Sequence, residues 1–287
     1  MRPELRERDR PITILEPPSS GLHLGAGVRR LAGFGDLFLT LCAHRLSVRY
    51  KQTRLGLLWA VLQPFAMMLA FTAVFTLLGN APGEGIPYAL FAFAALAPWT
   101  AFASGLATMT TSLTGHAALL TRVAFPREIL PLTYAVAALV DAALATGVLG
   151  LLMLWYRVPP TSAAIWALLA TALLGLWLVA TGLLLSAIHV RHRDVGLAVP
   201  VLLQVWMFAS PVVYPMSLAR ATLPPWAFAL YTLNPMAGIV DTFRRGTVLG
   251  TAPDVQALVA AAMVTLLLLP VAYACFKYAE ATMADVV

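Results

Sequence analysis

Charged residues are scarce in this sequence of 287 residues, since Asp, Glu, Lys and Arg make up only 11% of it and 60% is hydrophobic. A soluble domain carries about 25% charged residues, so the composition excludes an ordinary soluble protein. The formal net charge of +6 suits a nucleic-acid binder, but ten of the nineteen Lys and Arg residues precede Leu55. A basic start followed by long apolar runs is typical of a membrane protein, and we expect no nucleic-acid partner.

The sequence also lacks the short motifs of catalysis and of phosphate or metal binding. It has no Walker A loop, GxGxxG, HExxH or GxSxG. Its two cysteines, Cys42 and Cys275, indicate neither a disulfide nor a redox or metal site. We therefore predict that the chain is not an enzyme and has no catalytic, metal or cofactor residues. The alternative is a membrane enzyme built on scattered carboxylates, but Glu84 and Asp141 form no evident pair.

The amino-terminal part divides into two segments. Residues 1–32 are polar, contain several prolines and lack the apolar core of a signal peptide, so we expect an uncleaved tail. Residues 33–54 carry Leu37, Leu41, His44 and Val48 at helical spacing, which favours an amphipathic helix on the membrane surface over a merely polar segment. Its apolar face is expected to pack against the first span or lipid. Its interface residues are Arg45, Arg49, Tyr50 and Lys51.

Residues 55–287 predict a domain of six membrane spans. Residues 55–83 contain no charged side chain, and a spanning helix needs about 20 apolar residues. The same pattern places spans at residues 57–78, 88–113, 132–155, 162–188, 197–214 and 255–276. Residues 210–250 are apolar but contain Pro211, Pro215, Pro224, Pro225 and Pro235. Because prolines disfavour a straight lipid-exposed helix, we predict a re-entrant pair of short helices there.

The distribution of basic residues predicts the orientation. With both termini in the cytoplasm, fifteen Lys and Arg residues lie on the cytosolic side and four outside, as the positive-inside rule requires. The four external residues are Arg157, Arg220, Arg244 and Arg245. We expect Arg244 and Arg245 to lie at the headgroup level, where long cationic side chains extend towards water.

Four segments together resemble one family. They are RYKQTRLGLLWAVLQP (49–64), RVAFPREILPL (122–132), VRHRDVG (190–196), and SPVVYP (210–215) followed by LNPMAGIVDTFRRGTVLG (233–250). The order of these segments resembles the permease subunit of type-2 ABC exporters for O-antigen, capsule or teichoic-acid polysaccharides, and ITILEPPSSG (12–21) is similar to that family's tail. One departure is Arg45, where the family usually has an acidic residue, which puts one contact of the surface helix in doubt.

The resemblance implies partners, cargo and location. It implies a homodimer in membrane lipid of the bacterial inner (cytoplasmic) membrane, with both termini cytoplasmic, bound to two copies of a separate ATP-binding cassette ATPase. That partner would use ATP and Mg, while this chain would bind no cofactor. The cargo would be a lipid-linked glycan. The rival functions are a permease of the same fold for a drug or lipid, and a purely structural membrane anchor.

Two short segments are candidates for coupling to the ATPase. The loop of residues 115–128 contributes Arg122, Arg127 and Glu128. These charges alone could be a positive-inside anchor, but the segment FPRE, in the context of the family, favours a coupling surface. For the segment HVRHRDVG, contact with the partner and a merely solvated turn remain equally open. Its candidate residues are Arg191, Arg193 and Asp194.

The remaining candidates lie within or near the spans. Asp141 is an intramembrane carboxylate, which marks either a functional pathway or a buried structural pairing, and both remain open. Aromatic residues near the outer side fit an interfacial belt. Four of them are also candidates for a glycan channel, because sugar C–H faces stack on aromatic rings: Tyr88, Trp99, Tyr214 and Tyr231.

Overall fold

The computed structural model describes residues 33–51, 56, 58–79, 83–122 and 125–286. The predicted tail of residues 1–32 lies outside the described residues. So do the side chains of four candidate residues, Arg49, Tyr50, Lys51 and Arg122. Every regular element among the described residues is helical, which confirms the predicted all-α class.

The described chain forms eleven α-helices. They are α1 (Gly35–Lys51), α2 (Leu58–Leu77), α3 (Tyr88–Thr111), α4 (Ala117–Arg122), α5 (Ile129–Trp155), α6 (Ala164–Arg191), α7 (Val195–Phe208), α8 (Met216–Thr222), α9 (Pro225–Thr232), α10 (Pro235–Arg244) and α11 (Val255–Val286). A 3₁₀ turn, Thr114–His116, precedes α4, and a π-helical turn, Arg245–Leu249, extends α10.

Five of these helices, α2, α3, α5, α6 and α11, are long and apolar enough to cross a membrane. They match predicted spans one, two, three, four and six. The predicted fifth span is shorter than expected, since α7 has 14 residues. At about 1.5 Å per residue it is about 21 Å long, less than the ~30 Å hydrocarbon core of a bilayer.

Helix α3 forms the centre of the bundle. It packs against α2, α5, α6, α7 and α10, and most of its side chains are buried. Gly105 allows the close approach of α5 and α6, because a Cβ there would lie 2.7 Å from the Ala138 Cβ and 2.9 Å from a Leu178 methyl. Trp206 of α7 packs edge-on against Trp99 and Phe102 of α3. A small residue and large rings thus determine how the neighbouring helices pack on α3.

The segment after α7 carries the chain along the length of α3. A Cβ on Gly196, at the start of α7, would lie 3.3 Å from the side chain of Thr111, the last residue of α3. The Val213 carbonyl accepts a hydrogen bond of 2.9 Å from the hydroxyl of Tyr88, the first residue of α3. The chain from residue 196 to 213 therefore runs from one end of α3 to the other, as helix and then as irregular backbone.

Residues 210–250 form three short helices, α8, α9 and α10, where the prolines predicted a pair, and their re-entrant placement in the membrane stays a prediction. Asn234 separates α9 from α10 and caps α10, because its Oδ1 accepts a hydrogen bond of 3.1 Å from the Met236 N–H. The same oxygen accepts 2.9 Å from Trp206 Nε1, and Nδ2 donates to the Ala209 carbonyl at 3.1 Å and to Ser210 Oγ at 2.9 Å. Through these hydrogen bonds, the Asn234 side chain holds the turn between α9 and α10 against the end of α7.

Candidate functional site

The end of the bundle that holds α1, the loop 112–128 and the α6–α7 turn, called here the α1 end, contains a cluster of charges. Lys277 of α11 donates to both carboxylate oxygens of Glu128, at 2.7 and 2.8 Å, and to Glu280 at 2.8 Å. Arg127 donates from its backbone N–H to Glu280 Oε1 at 3.3 Å and from Nη1 to the Glu280 carbonyl at 2.9 Å. The predicted coupling loop is therefore tied to the last helix.

Glu128 and Arg127 differ in how deeply their side chains are buried. The Glu128 side chain is only 1% exposed, so its carboxylate faces Lys277 rather than an external surface. Arg127 is partly exposed. The structure thus assigns Glu128 an internal contact, while its role in coupling stays a prediction. The Arg122 side chain lies outside the described part of the chain.

Helix α1 docks on the same end through Arg45. Its guanidinium lies 3.8 Å from the centroid of the Tyr134 ring, and its Nη2 donates to His116 Nε2 at 3.3 Å. His116 Nδ1 lies 2.9 Å from the Ser112 carbonyl, so the two contacts together require a neutral ring with the proton on Nδ1. Within the described part of the chain, α1 packs mainly against α5, the third predicted span, rather than the first, and its packing against lipid stays a prediction. Arg45, the departure from the family pattern, makes a cation–π contact with α5.

The turn between α6 and α7 is built on a histidine and a glycine. The Gly196 N–H donates to His189 Nδ1 at 3.1 Å, and any Cβ at position 196 would lie 2.7 Å from His189 Cε1. These contacts hold the turn from its inner side. Its charged side chains, Arg191, Arg193 and Asp194, are all exposed. These three side chains are accessible to a partner, and their role in coupling stays a prediction.

At the opposite end, called here the hairpin end, Arg244 is fully buried. Its Nη2 donates to the carbonyls of Pro211 at 2.6 Å and Val212 at 2.9 Å, and its Nη1 to that of Tyr214 at 3.4 Å. The guanidinium lies 3.7 Å from the centroid of the Phe91 ring.

The expectation that Arg244 extends towards water at the headgroup level is therefore wrong. It donates to three carbonyls of the irregular segment after α7, because buried carbonyls without a hydrogen bond are costly. Arg245 is partly exposed and its Nε donates to Asp241 Oδ2 at 2.6 Å. These two adjacent arginines thus make different contacts, and the sequence alone did not distinguish one from the other.

The four aromatic channel candidates are mostly enclosed. Tyr88 and Trp99 are buried in the core, which argues against direct contact with a substrate by either ring in this structure. The Tyr214 hydroxyl donates to the Phe208 carbonyl at 3.0 Å and lies 3.4 Å from that of Tyr231. Tyr214 and Tyr231 are partly exposed at the hairpin end, where their role in a channel stays a prediction.

Asp141 lies in the middle of α5 and is 5% exposed. Its side chain lines a cavity of about 610 Å³ between α2, α3 and α5, together with Gln63, Thr100 and Ser104. No group of three or more His, Cys, Asp or Glu residues in the described part of the chain could hold a metal ion. Asp141 therefore lies at a cavity whose lining is mostly apolar and includes a few polar groups.

Sequence reasoning missed the partners of several candidates. Lys277 and Glu280 follow the predicted last span, and two opposite charges three residues apart after a long apolar run indicate a shared helix face. His116, Tyr134 and His189 have no local signal of this kind. Their roles depend on helices that are far apart in sequence.

Comparisons with known proteins agree with this architecture. The family described as ABC-2 type transporter matches residues 37–248. The chain is 29% identical over 250 residues to the O-antigen export system permease protein RfbA of Myxococcus xanthus, covering 87% of this chain and 95% of that protein. Two proteins of Klebsiella pneumoniae with the same name are 24% and 23% identical, covering 74% and 73% of this chain and 82% and 79% of theirs. With more than half its length matched, the chain belongs to the ABC-2 type transporter family.

Proposed function

We propose that this chain is the membrane permease of an ABC exporter that moves a lipid-linked, O-antigen-like polysaccharide across the cytoplasmic membrane. The single observation that carries the proposal is its similarity, over 87% of its length, to a protein named as an O-antigen export permease. Five long apolar helices supply the membrane domain. Because the sequence has no phosphate-binding loop, ATP and Mg would be used by a separate ATPase, in two copies on a permease homodimer.

We further propose that α7 and the irregular segment after it together form the sixth crossing. Their path from Thr111 to Tyr88 parallels the whole of α3, whose 24 residues at about 1.5 Å each measure about 36 Å. The buried donors of Arg244 make the irregular part tolerable inside a membrane. Six crossings place both termini on one side, and the excess of Lys and Arg there supports the cytoplasm.

In this arrangement α8, α9 and α10 form a hairpin that enters the membrane from outside and returns, and α1 lies at the cytosolic interface. The α1 end then faces the ATPase, and its exposed Arg191, Arg193 and Asp194 are available for contact. Movement of the loop 115–128 would pass to α11 through the bonds from Lys277 to Glu128 and Glu280. The charge cluster thus offers a route from the ATPase into the spans.

Deletion of the gene tests the export function. Cells without the permease should lose the surface polysaccharide and accumulate the lipid-linked glycan in the cytoplasmic membrane, and the wild-type gene should restore export. Purification from native membranes should recover an ATPase, and the permease alone should not hydrolyse ATP. Normal surface polysaccharide in the deletion strain, with loss of drug resistance or of a lipid export activity instead, would favour the rival cargo.

A further inference from the structure

The contact between Arg45 of α1 and His116 of the loop 112–128 is made without a carboxylate. Arg45 Nη2 donates to His116 Nε2 at 3.3 Å, and the Arg45 guanidinium lies 3.8 Å from the centroid of the Tyr134 ring. Within the described part of the chain, no Asp or Glu forms an ion pair with either residue. The positive charge of Arg45 is therefore balanced by the face of an aromatic ring and the lone pair of an imidazole.

The hydrogen bonds of His116 require its ring to be neutral. Its Nδ1 lies 2.9 Å from the Ser112 carbonyl oxygen, which can only accept, so Nδ1 carries the proton. Its Nε2 faces the Arg45 guanidinium, which can only donate, so Nε2 supplies a lone pair. One neutral ring thus joins the backbone of its own loop to α1, and a second proton on the ring would remove the bond to Arg45.

Protonation of His116 would replace an attraction with a repulsion. The added proton would point at the Arg45 guanidinium, and two partly buried cations would face each other with less screening than at an open surface. Two other titratable groups face the pair: Tyr134 of α5, whose ring centroid lies 6.2 Å from that of His116, and Cys42, buried one turn before Arg45. A phenol and a thiol are ordinarily neutral at pH 7, and burial raises the pKa of the Cys42 thiol. Neither group therefore supplies a negative charge that would hold the two cations together.

We propose that His116 positions α1 on the bundle, through Arg45, only while its ring is neutral, so that acidification of the cytosol releases α1 and slows export. Histidine is the side chain whose charge ordinarily changes between about pH 5 and 8. Because docked α1 requires the neutral ring, docking is favoured at higher pH and weakens as protons are added. The effect on export rests on the proposed function, in which the α1 end faces the ATPase, whereas the docking itself does not.

His116 stands between α1 and the segment predicted to couple to the ATPase. It belongs to the loop 112–128, whose last residue, Glu128, accepts two bonds from Lys277 of α11. Loss of the contact with Arg45 would free α1 from the start of this loop, while the pair of Glu128 and Lys277 at the other end stays in place. We therefore expect acidification to appear as slower export rather than as unfolding of the bundle.

The experiment measures how fast the Cys42 thiol is labelled in the complete permease–ATPase complex in lipid nanodiscs. Cys42 is buried in docked α1, and Cys275→Ser leaves it as the one cysteine of the permease. The reagent is dithiodipyridine, which stays reactive at acidic pH, and labelling of the permease is quantified by mass spectrometry. At about pH 5.5 this parent protein should be labelled at least tenfold faster than its His116→Gln variant, and at about pH 7.5 the two rates should agree within about twofold.

The choice of variants isolates the charge of the ring. Glutamine keeps an acceptor oxygen for Arg45 but carries no charge at any pH, and comparison at a single pH removes the direct effect of pH on the thiol and the reagent. His44→Gln is the matched control, because His44 is exposed on the same helix, and this variant should be labelled like the parent at both pH values.

Two further substitutions test the opposition of charges. His116→Lys carries a permanent positive charge and should be labelled at least tenfold faster than the parent even at about pH 7.5. Arg45→Gln removes the second cation, so acidification should no longer accelerate labelling of Cys42. Arg45→Gln also decides the question if the variants of His116 do not assemble, because it leaves the histidine in place.

Export is measured in cells whose cytosol is acidified with a membrane-permeant weak acid, and the wild type should lose several-fold more export than the His116→Gln strain. Three results would overturn the proposal: equal labelling of the parent and His116→Gln at the acidic pH, acceleration by acid that persists in Arg45→Gln, or equal loss of export in the two strains. These results would leave permease-dependent export intact. Export that does not depend on the permease would instead contradict the proposed function itself.

Discussion

Lys277 Nζ lies 2.7 and 2.8 Å from the two carboxylate oxygens of Glu128, a residue 149 positions earlier in the chain. Glu128 precedes the first residue of α5, and Lys277 lies near the end of α11. The pair therefore joins the predicted coupling loop to the last span. Because Glu128 is almost fully buried, its carboxylate depends on Lys277 for a positively charged hydrogen-bond donor.

The first prediction concerns that pair. Lys277→Met should destabilise the permease by about 3–5 kcal/mol, because it leaves a buried carboxylate without its cation. The expected result is a lower thermal unfolding temperature of the purified complex. In the double variant Glu128→Gln with Lys277→Met, part of the loss should be recovered, since no buried charge remains. Equal unfolding temperatures for Lys277→Met and the wild type would show that the pair contributes little.

The second prediction concerns coupling. Arg127→Glu places a carboxylate beside Glu280 and removes the bond to its carbonyl, and should lower export and stimulated ATPase activity several-fold while the complex assembles normally. Leu41→Asp, on α1, should instead lower recovery of the complex, because α1 packs against α5. The comparison measures export, ATPase rate and complex yield for both variants. Normal export and ATPase rate in Arg127→Glu would leave the loop as a topological anchor only.

The third prediction concerns orientation. In a background without Cys42 and Cys275, a cysteine in place of Glu84 should react with an impermeant thiol reagent in intact cells, and one in place of Arg193 should not. Both positions are exposed, so a difference in labelling reports the side of the membrane rather than burial. Both should react after the membrane is permeabilised. Labelling of position 193 in intact cells would reverse the proposed orientation.

The fourth prediction concerns Arg244. Arg244→Met should prevent stable folding or lower the unfolding temperature strongly, because three carbonyls lose donors and a hydrogen bond from a charged group contributes about 1.5–3 kcal/mol. Arg220→Met is the matched control, because Arg220 is exposed and pairs with Asp254 near the surface. The measurement is folded yield and thermal unfolding in detergent. Similar behaviour of the two variants would argue against a supporting role for Arg244.

The fifth prediction concerns the contact between α10 and α11. A Cβ at Gly238 would lie 2.4 Å from the Ala257 carbonyl oxygen, a backbone atom that cannot move aside cheaply. Gly238→Ala should therefore destabilise the hairpin end by about 1–3 kcal/mol or more. Gly147→Ala, in α5, meets nothing within 4 Å and should be neutral or slightly stabilising. Thermal unfolding of both variants measures the difference, and a stable Gly238→Ala protein would contradict the close packing.

The sequence by itself determined the helical class, five of the predicted spans and the broken character of residues 210–250. These features depend on local properties: apolar runs long enough to cross a bilayer, and prolines that remove backbone donors. It also located the family, because the four charged or proline-rich segments occur in a specific order. The short α7 was less predictable, since the irregular segment that follows it is as apolar as a helix.

Only the tertiary structure decided which polar groups meet. Arg244 and Arg245 are neighbours with the same side chain, yet one is buried among carbonyls and the other pairs with Asp241. Likewise, no local feature of the sequence shows whether the Glu128 carboxylate lies at the surface or is enclosed with Lys277. The physical reason is that the hydrogen bonds and ion pairs that make burial of a charge tolerable come from helices distant in sequence, and their approach depends on packing.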